Sequence, residues 1–283
     1  MAQHRGDLSD AQWQKLQPLL PQPAPTGRPA NDHRQVLNGI LWIHRTGAPW
    51  SDLPERYGSR GTVSSRFYRW RAQGVWQQIL NQLQHTADAA HQIDWEVHFV
   101  DSTIVRAHQH AAGAKRGIKT QNNRVTTEQL QEQEALGRSK GGFSTKIQIQ
   151  AEGLGKPMQF VILPGQSHDV KGFDKLNEAA PRIKRKGRGR PKQRPRYLVG
   201  DKGYDADSIR RSLRRQHTTP VIPKRKNAKR RPRFNRGLYR ERNRIERLIN
   251  RLKQARRVAT RYEKRAENYL AMLTIAAILI WLK

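Results

Sequence analysis

Two short apolar runs in this chain end in an aspartate: "EVHFVD" at 96–101 and "RYLVGD" at 196–201. A run of that length bounded by a carboxylate reads as a buried strand with a polar group at its tip. Open α/β sheets place ligand-handling groups at such tips. Between the two runs, "FSTKIQIQA" alternates cleanly, and "EGLGKP" then leads into "MQFVILP", so 143–163 reads as a hairpin. "DADSIRRSLRRQ" reads as a helix and "TPVIP" as a short strand. The closing "YLAMLTIAAILIWL" is fourteen residues, too short to cross a bilayer comfortably, and reads as a buried helix. Strands and helices in this mixed order predict an α/β fold over 93–283.

Residues 1–92 have a different texture. Ser9 and Gln12 form a capping-box pattern, and "PQPAPTGRP" is a linker by composition. Asn31 is the expected cap of "DHRQVLNGILWIHRT", and Gly47 closes that helix. "TVSSRFYRWRAQ" follows with Thr62 as its expected cap, and then comes "VWQQILNQLQHTADAA". A helix, a tight connection and a short helix carrying Arg66, Arg69 and Arg71 suit a helix-turn-helix DNA reader. They equally suit a small helical bundle with a basic surface. The expected organisation is a helical DNA-binding domain, 1–92, before a catalytic domain, 93–283.

The charge balance narrows the partner. With 55 Lys plus Arg against 23 Asp plus Glu, the chain carries a formal +32 and repels itself unless a polyanion offsets that charge. Nucleic acid is the obvious one. Two segments poor in structure-forming residues, 182–196 and 224–236, have Lys or Arg at nine of fifteen and eight of thirteen positions and read as loops able to lie along phosphates. Absence of cysteine excludes disulfides, thiolate zinc sites and thiol catalysis. No signal-peptide core or lipid anchor is evident, so an intracellular, nucleic-acid-binding protein is expected and no membrane partner.

Where acids are scarce, their positions carry weight. Asp205 and Asp207 read as caps for the helix that follows Asp201. Glu246 lies in "YRERNRIERLINRLK", 239–253. On a continuous helix Tyr239, Arg242, Glu246 and Lys253 fall within about 60° of one another, beside an apolar stripe of Ile245, Leu248, Ile249 and Leu252. The plain reading is a surface Arg242–Glu246 pair. The sharper one joins Glu246 with Asp101 and Asp201 in an all-oxygen site suited to Mg²⁺, with Mn²⁺ as substitute. Two ions about 4 Å apart would serve phosphodiester chemistry there.

The spacing Tyr239-(2)-Arg242-(3)-Glu246-(6)-Lys253 resembles the signature around the third acid of DDE transposases of bacterial insertion sequences. "FVDSTIVRAHQHAAGA" and "GDKGYDAD" are similar to their first- and second-acid segments. "GRSKGGFSTKI", "PGQSHD" and the closing helix resemble further segments, and the N-terminal helices resemble those of the insertion sequence five branch. The resemblance covers nearly the whole chain. It implies an RNase H-like core and a metal-binding triad of Asp101, Asp201 and Glu246. It also implies DNA contacts by Tyr239, Arg242 and Lys253, cleavage at the element's ends, and transfer of the 3′-hydroxyl to target DNA. A homodimer or larger assembly on double-stranded DNA, in the bacterial cytoplasm at the nucleoid, goes with it. The rivals are a nuclease on the same core that cuts without joining, and a non-catalytic repressor. His168 and Asp169 in "PGQSHD" have no assigned role, and Ser102 and Thr103 are expected to shape a turn after Asp101.

Overall fold

The computed structural model describes residues 4–22, 31–112, 132–179, 183, 194–224 and 235–283. The interior of the 21–29 linker and most of the basic segments 182–196 and 224–236 lie outside the described residues. The N-terminal part comprises α1 (Asp10–Leu16), α2 (His33–Thr46), α3 (Arg60–Ala72) and α4 (Val75–Ala89). Ser9 and Gln12 cap α1 reciprocally: Ser9 Oγ accepts from the Gln12 amide at 3.2 Å, and Gln12 Oε1 from the Ser9 amide at 3.1 Å. Two other caps fall beside the residues expected. Asp32, not Asn31, accepts from the Arg34 amide to start α2, and Ser59, not Thr62, starts α3. Thr62 stands one turn inside, where its own amide is the donor that Ser59 satisfies at 3.2 Å. Gly47 ends α2 at φ +73°, a left-handed stop that glycine adopts without Cβ strain. Residues 47–59, joining α2 to α3, hold two 3-10 turns, so this link is longer than a tight turn.

The remainder is a seven-stranded sheet. Its strands are β1 (Val97–Ala107), β2 (Gly137–Ser139), β3 (Gly142–Ala151), β4 (Pro157–Pro164), β5 (Tyr197–Val199), β6 (Thr219–Val221) and β7 (Thr260–Arg261). Along its main axis the order is β4, β3, β1, β5, β6. β3 is antiparallel to both neighbours, while β5 and β6 are parallel to β1. β2 extends the start of β3, and β7 pairs with the end of β1. A three-stranded antiparallel meander followed by two parallel strands with helical crossovers is the mixed sheet of an RNase H-like core. The crossover helices α5 (Asp169–Glu178) and α6 (Asp207–Arg215) cover one face, burying Val100, Leu198 and Ile222 with Phe173, Leu176, Ile209 and Leu213. Ala206 is the N-cap residue of α6 and no side chain caps it. Asp205 instead pairs with Arg210 at 3.0 Å, because both side chains are buried and Arg210 also donates to the Ile222 carbonyl at 2.7 Å.

The other face carries α7 (Arg236–Arg240), α8 (Asn243–Lys253), α9 (Arg256–Ala259) and α10 (Ala266–Trp281). One helix was expected over 239–253, but it is broken at Glu241-Arg242. There the amides of Arg242, Arg244 and Ile245 bond to carbonyls three residues back, a tightened turn that rotates Tyr239 away from the continuous wheel. Asn243, a weak helix former, sits at the break. Helix α10 is apolar on every side because it is enclosed, and the main core runs through it, from Leu8 and Ile79 to Phe99, Leu248 and Leu282. Among the described residues no helix is long and apolar enough to cross a membrane. Arg261 anchors the approach to α10 with no solvent exposure: it donates to the carbonyls of Glu263, Ala135 and Lys264 and to Thr145 Oγ1.

Candidate active site

The register between β1 and β5 pairs Val97 with Tyr197, His98 with Leu198 and Phe99 with Val199. Two residues further on, the same register sets Asp101 level with Asp201. There β5 has ended, whereas β1 continues to Ala107, held by β3 along its length. Asp101 is therefore mid-strand, not at a strand tip. It faces the opening left where its parallel neighbour stops, the place where open sheets bind ligands. Ser102 and Thr103 are strand residues as well and shape no turn.

Strand alternation turns Phe99, Asp101, Thr103 and Val105 to the face that α8 covers. Ile245, Leu248 and Leu252 press α8 onto that face, and its polar edge then meets the row of β1. Arg242 Nη1 lies 2.9 Å from Asp101 Oδ2, and its Nη2 lies 2.5 Å from Glu246 Oε1. Lys253 Nζ donates to Thr103 Oγ1 at 2.7 Å. The Ser102 amide donates to Asp101 Oδ1 at 2.9 Å, and the Gly203 amide to Asp201 Oδ1 at 2.8 Å. Asp101 is 14% exposed and Glu246 50%, so the cluster grades from buried strand to open helix surface. The plain surface pair of Arg242 and Glu246 is present, and the same guanidinium also reaches across to the sheet.

Burial is the main cause that pushes the Asp101 carboxyl up to about 6. The Ser102 amide and Arg242 pull it down, while the charges of Asp201 and Glu246 push it up. Burial works against charge on Arg242, yet Asp101 and Glu246 hold it above its ordinary value. Burial alone lowers Lys253.

The donor set at this opening is carboxylate oxygen, which fits Mg²⁺ or Mn²⁺ and no soft metal. Among the described residues no three His, Asp or Glu side chains converge closely enough to grip an ion by themselves. Arg242 stands as the cation between Asp101 and Glu246. Tyr239 packs half-buried against the main core. Arg66, Arg69 and Arg71 stand on α3, which packs on α2, α4 and α10. Arg66 lies over the Trp70 ring at 5.4 Å, Arg71 pairs with Glu267 at 2.5 Å, and Arg69 is exposed. On the far face Asp169 pairs with Lys146 at 3.1 Å, and Tyr204 lies in the field of Asp169, Asp101 and Asp201. "PGQSHD" marked the first; an inward lysine among the alternating residues of β3 was the available sign of the second.

Residues 96–281, which span the sheet and the helices on both faces, match the family described as "Transposase DDE domain". The chain belongs to the DDE transposases. Residues 8–80 match a second family, described as "Putative transposase of IS4/5 family". Among curated relatives of this DDE transposase, the uncharacterized protein y4sN of Sinorhizobium fredii is 43% identical over 110 residues, 38% of this chain and 83% of that one. The "Putative transposase for insertion sequence element IS402" of Burkholderia cepacia is 36% identical over 136 residues, 48% of this chain and 62% of that one. Its counterpart for IS6501 in Brucella ovis is 28% identical over 145 residues, 50% of this chain and 100% of that one. Among solved structures, the piggyBac transposase synaptic complex with hairpin DNA aligns with a TM-score of 0.44 at 12% identity, over 95% of this chain and 70% of that one. The Mos1 strand transfer complex aligns with a TM-score of 0.25 at 11% identity, over 71% and 60%.

Proposed function

We propose that this transposase binds the ends of its insertion sequence and cuts and joins DNA strands through Asp101, Asp201 and Glu246. The observation that carries the reading is the register of β1 on β5. It sets two aspartates side by side at an open strand end, with Glu246 tied to the first through Arg242. Asp101 and Asp201 would hold a divalent ion from the sheet side and Glu246 from the helix side. The chemistry supplied there is charge stabilisation at the attacking and leaving oxygens of a phosphodiester. Arg242 and Lys253 are the phosphate partners. The planar fork of Arg242, now shared by two carboxylates, matches a phosphate equally well and exchanges one set of oxygens for the other as DNA arrives. Without it, Asp101 and Glu246 would be free to hold the ion. The basic face of α3 and the basic segments 182–196 and 224–236 would follow the DNA backbone outside the site, and two element ends require two protein copies on the DNA.

The test is the Glu246→Gln variant with DNA carrying an element end. It is expected to bind that DNA as the native chain does while nicking falls by about a thousandfold or more. Undiminished nicking would remove Glu246 from the site. Joined products with target-site duplication separate a transposase from a nuclease that only cuts. Protons and the cation compete for Asp101, whose carboxyl stands at about 6. Added Mn²⁺ should therefore raise the melting temperature of the free protein clearly at pH 8 and little near pH 5, a contrast read by scanning calorimetry.

A further inference from the structure

Two segments that the triad leaves unused meet beside Asp201. Lys146 comes from "GRSKGGFSTKI" and sits on β3 opposite Ile104 of β1; Asp169 comes from "PGQSHD" and opens α5. Lys146 Nζ lies 3.1 Å from Asp169 Oδ1, and the two side chains are 11% and 21% exposed. Gln148 Nε2 donates to the Asp169 carbonyl at 2.6 Å, which pins the first turn of α5 to β3. Gly172 permits that approach, since a Cβ there would stand 2.3 Å from Gln148 Oε1 and 2.4 Å from Leu163 Cδ1.

The second Asp169 oxygen is turned to the loop of Asp201. A Cβ on Gly203 would stand 2.8 Å from Asp169 Oδ2 and 2.9 Å from Asp201 Oδ1. The two oxygens therefore lie within about 6 Å of each other, a span that one hydrated divalent ion covers. An independent observation points to the same place. Tyr204 is fully buried, and its hydroxyl has no hydrogen-bond partner. It stands in the field of Asp169, Asp101 and Asp201, with the Ser102 hydroxyl beside it. A buried donor left without an acceptor is costly, and this one feels the charge of three acids.

We propose that Asp169, oriented by Lys146, is a fourth carboxylate of the cleft, a positioning residue that holds the water shell of the divalent ion bound at Asp101 and Asp201. The inference rests on the metal-dependent reading above. With an ion held there, Asp169 would accept from its water through the oxygen that Lys146 leaves open, and the Tyr204 hydroxyl would gain an acceptor in the same cluster. Lys146 fixes the rotamer of Asp169 through that ion pair.

The experiment measures Mn²⁺ binding to the full chain, without DNA, from the electron paramagnetic resonance signal of the free ion. Asp169→Asn is expected to weaken Mn²⁺ binding by about 10- to 100-fold, the range for outer-shell partners of a metal. Lys146→Met should weaken it as much, the double variant no further, and Lys146→Arg should restore it to within a few-fold. Melting temperatures without metal separate this loss from simple unfolding. Native affinity in Asp169→Asn, or in Lys146→Met should the former fail to fold, would overturn the proposal while Asp201→Asn still abolishes binding. Native affinity in Asp201→Asn would instead overturn the metal reading itself.

Discussion

Asparagine in place of Asp101 is expected to end strand cleavage and at the same time to make the metal-free protein more stable above pH 6. Both effects come from one position. Asp101 lies on a buried strand at the level of Asp201, and its carboxyl is raised from 3.8 to about 6, chiefly by burial. The folded state therefore holds this proton more tightly than the unfolded chain does. The contribution of Asp101 to stability is full below about pH 4, declines as the pH rises towards 6, and is level beyond. A rise of that size corresponds to about 3 kcal/mol. Asparagine keeps the shape without the charge but forfeits part of the Arg242 contact, so the net gain at pH 8 should be about 1–2 kcal/mol. Denaturant melts of both proteins between pH 4 and pH 8 measure it. The native curve should fall across that window and the variant's should not. Equal slopes would show that Asp101 is not strained in the fold. Cleavage by the variant should be undetectable, because the ion would lose one of its two sheet-side carboxylates.

Arg261→Ala is expected to cost more than any surface substitution, about 3–5 kcal/mol, out of a total stability of about 5–15 kcal/mol. The side chain is wholly buried and serves four acceptors: three carbonyls and the Thr145 hydroxyl, bonded at 2.7 Å. It also lies over the Tyr269 ring at 5.5 Å. Alanine would leave the Glu263 and Lys264 carbonyls without this donor, and the Thr145 hydroxyl, which itself donates to the Ala135 carbonyl at 2.7 Å, without its charged partner. Lysine should not rescue the loss, since one ammonium cannot reach the positions of a planar fork. Soluble yield and the urea midpoint of the three proteins decide this. A midpoint within error of native in Arg261→Ala would mean that water replaces the guanidinium freely.

Much of this architecture was legible locally. The hairpin of β3 and β4, the enclosed α10, the Ser9–Gln12 capping box and the glycine stop of α2 all follow from period, composition and turn chemistry. What was not legible depended on partners distant in the chain. β1 outruns Asp101 because β3 is there to pair with it; "STIVRA" alternates as a strand should, yet the polar Ser102-Thr103 masked the continuation. The break at Glu241-Arg242 is invisible to a wheel that assumes an unbroken helix. Asp205 looked like a cap and became the partner of a buried arginine, a role that only Arg210 and the Ile222 carbonyl define. In the site, the three acids stood out by scarcity and spacing. The contact that joins two of them runs from Arg242 to Asp101, 141 positions away, and no local pattern encodes it.

The position of α10 bears on how this protein comes into being. Leu8, Leu37, Leu41, Trp76 and Ile79 gather around the same small cavity as Ile275, Ile278 and Leu279 of α10. A ribosome makes the first group long before the second. For most of synthesis the N-terminal helices therefore carry an uncovered apolar face, the kind that chaperones hold and that drives aggregation when unattended. The helices that would read DNA reach their final packing only after the last turns of α10 have been translated. A premature stop anywhere between β1 and α10 thus yields a chain lacking its keystone, and cells carrying such a frameshifted copy should contain degradation products in place of a free-standing DNA-binding fragment.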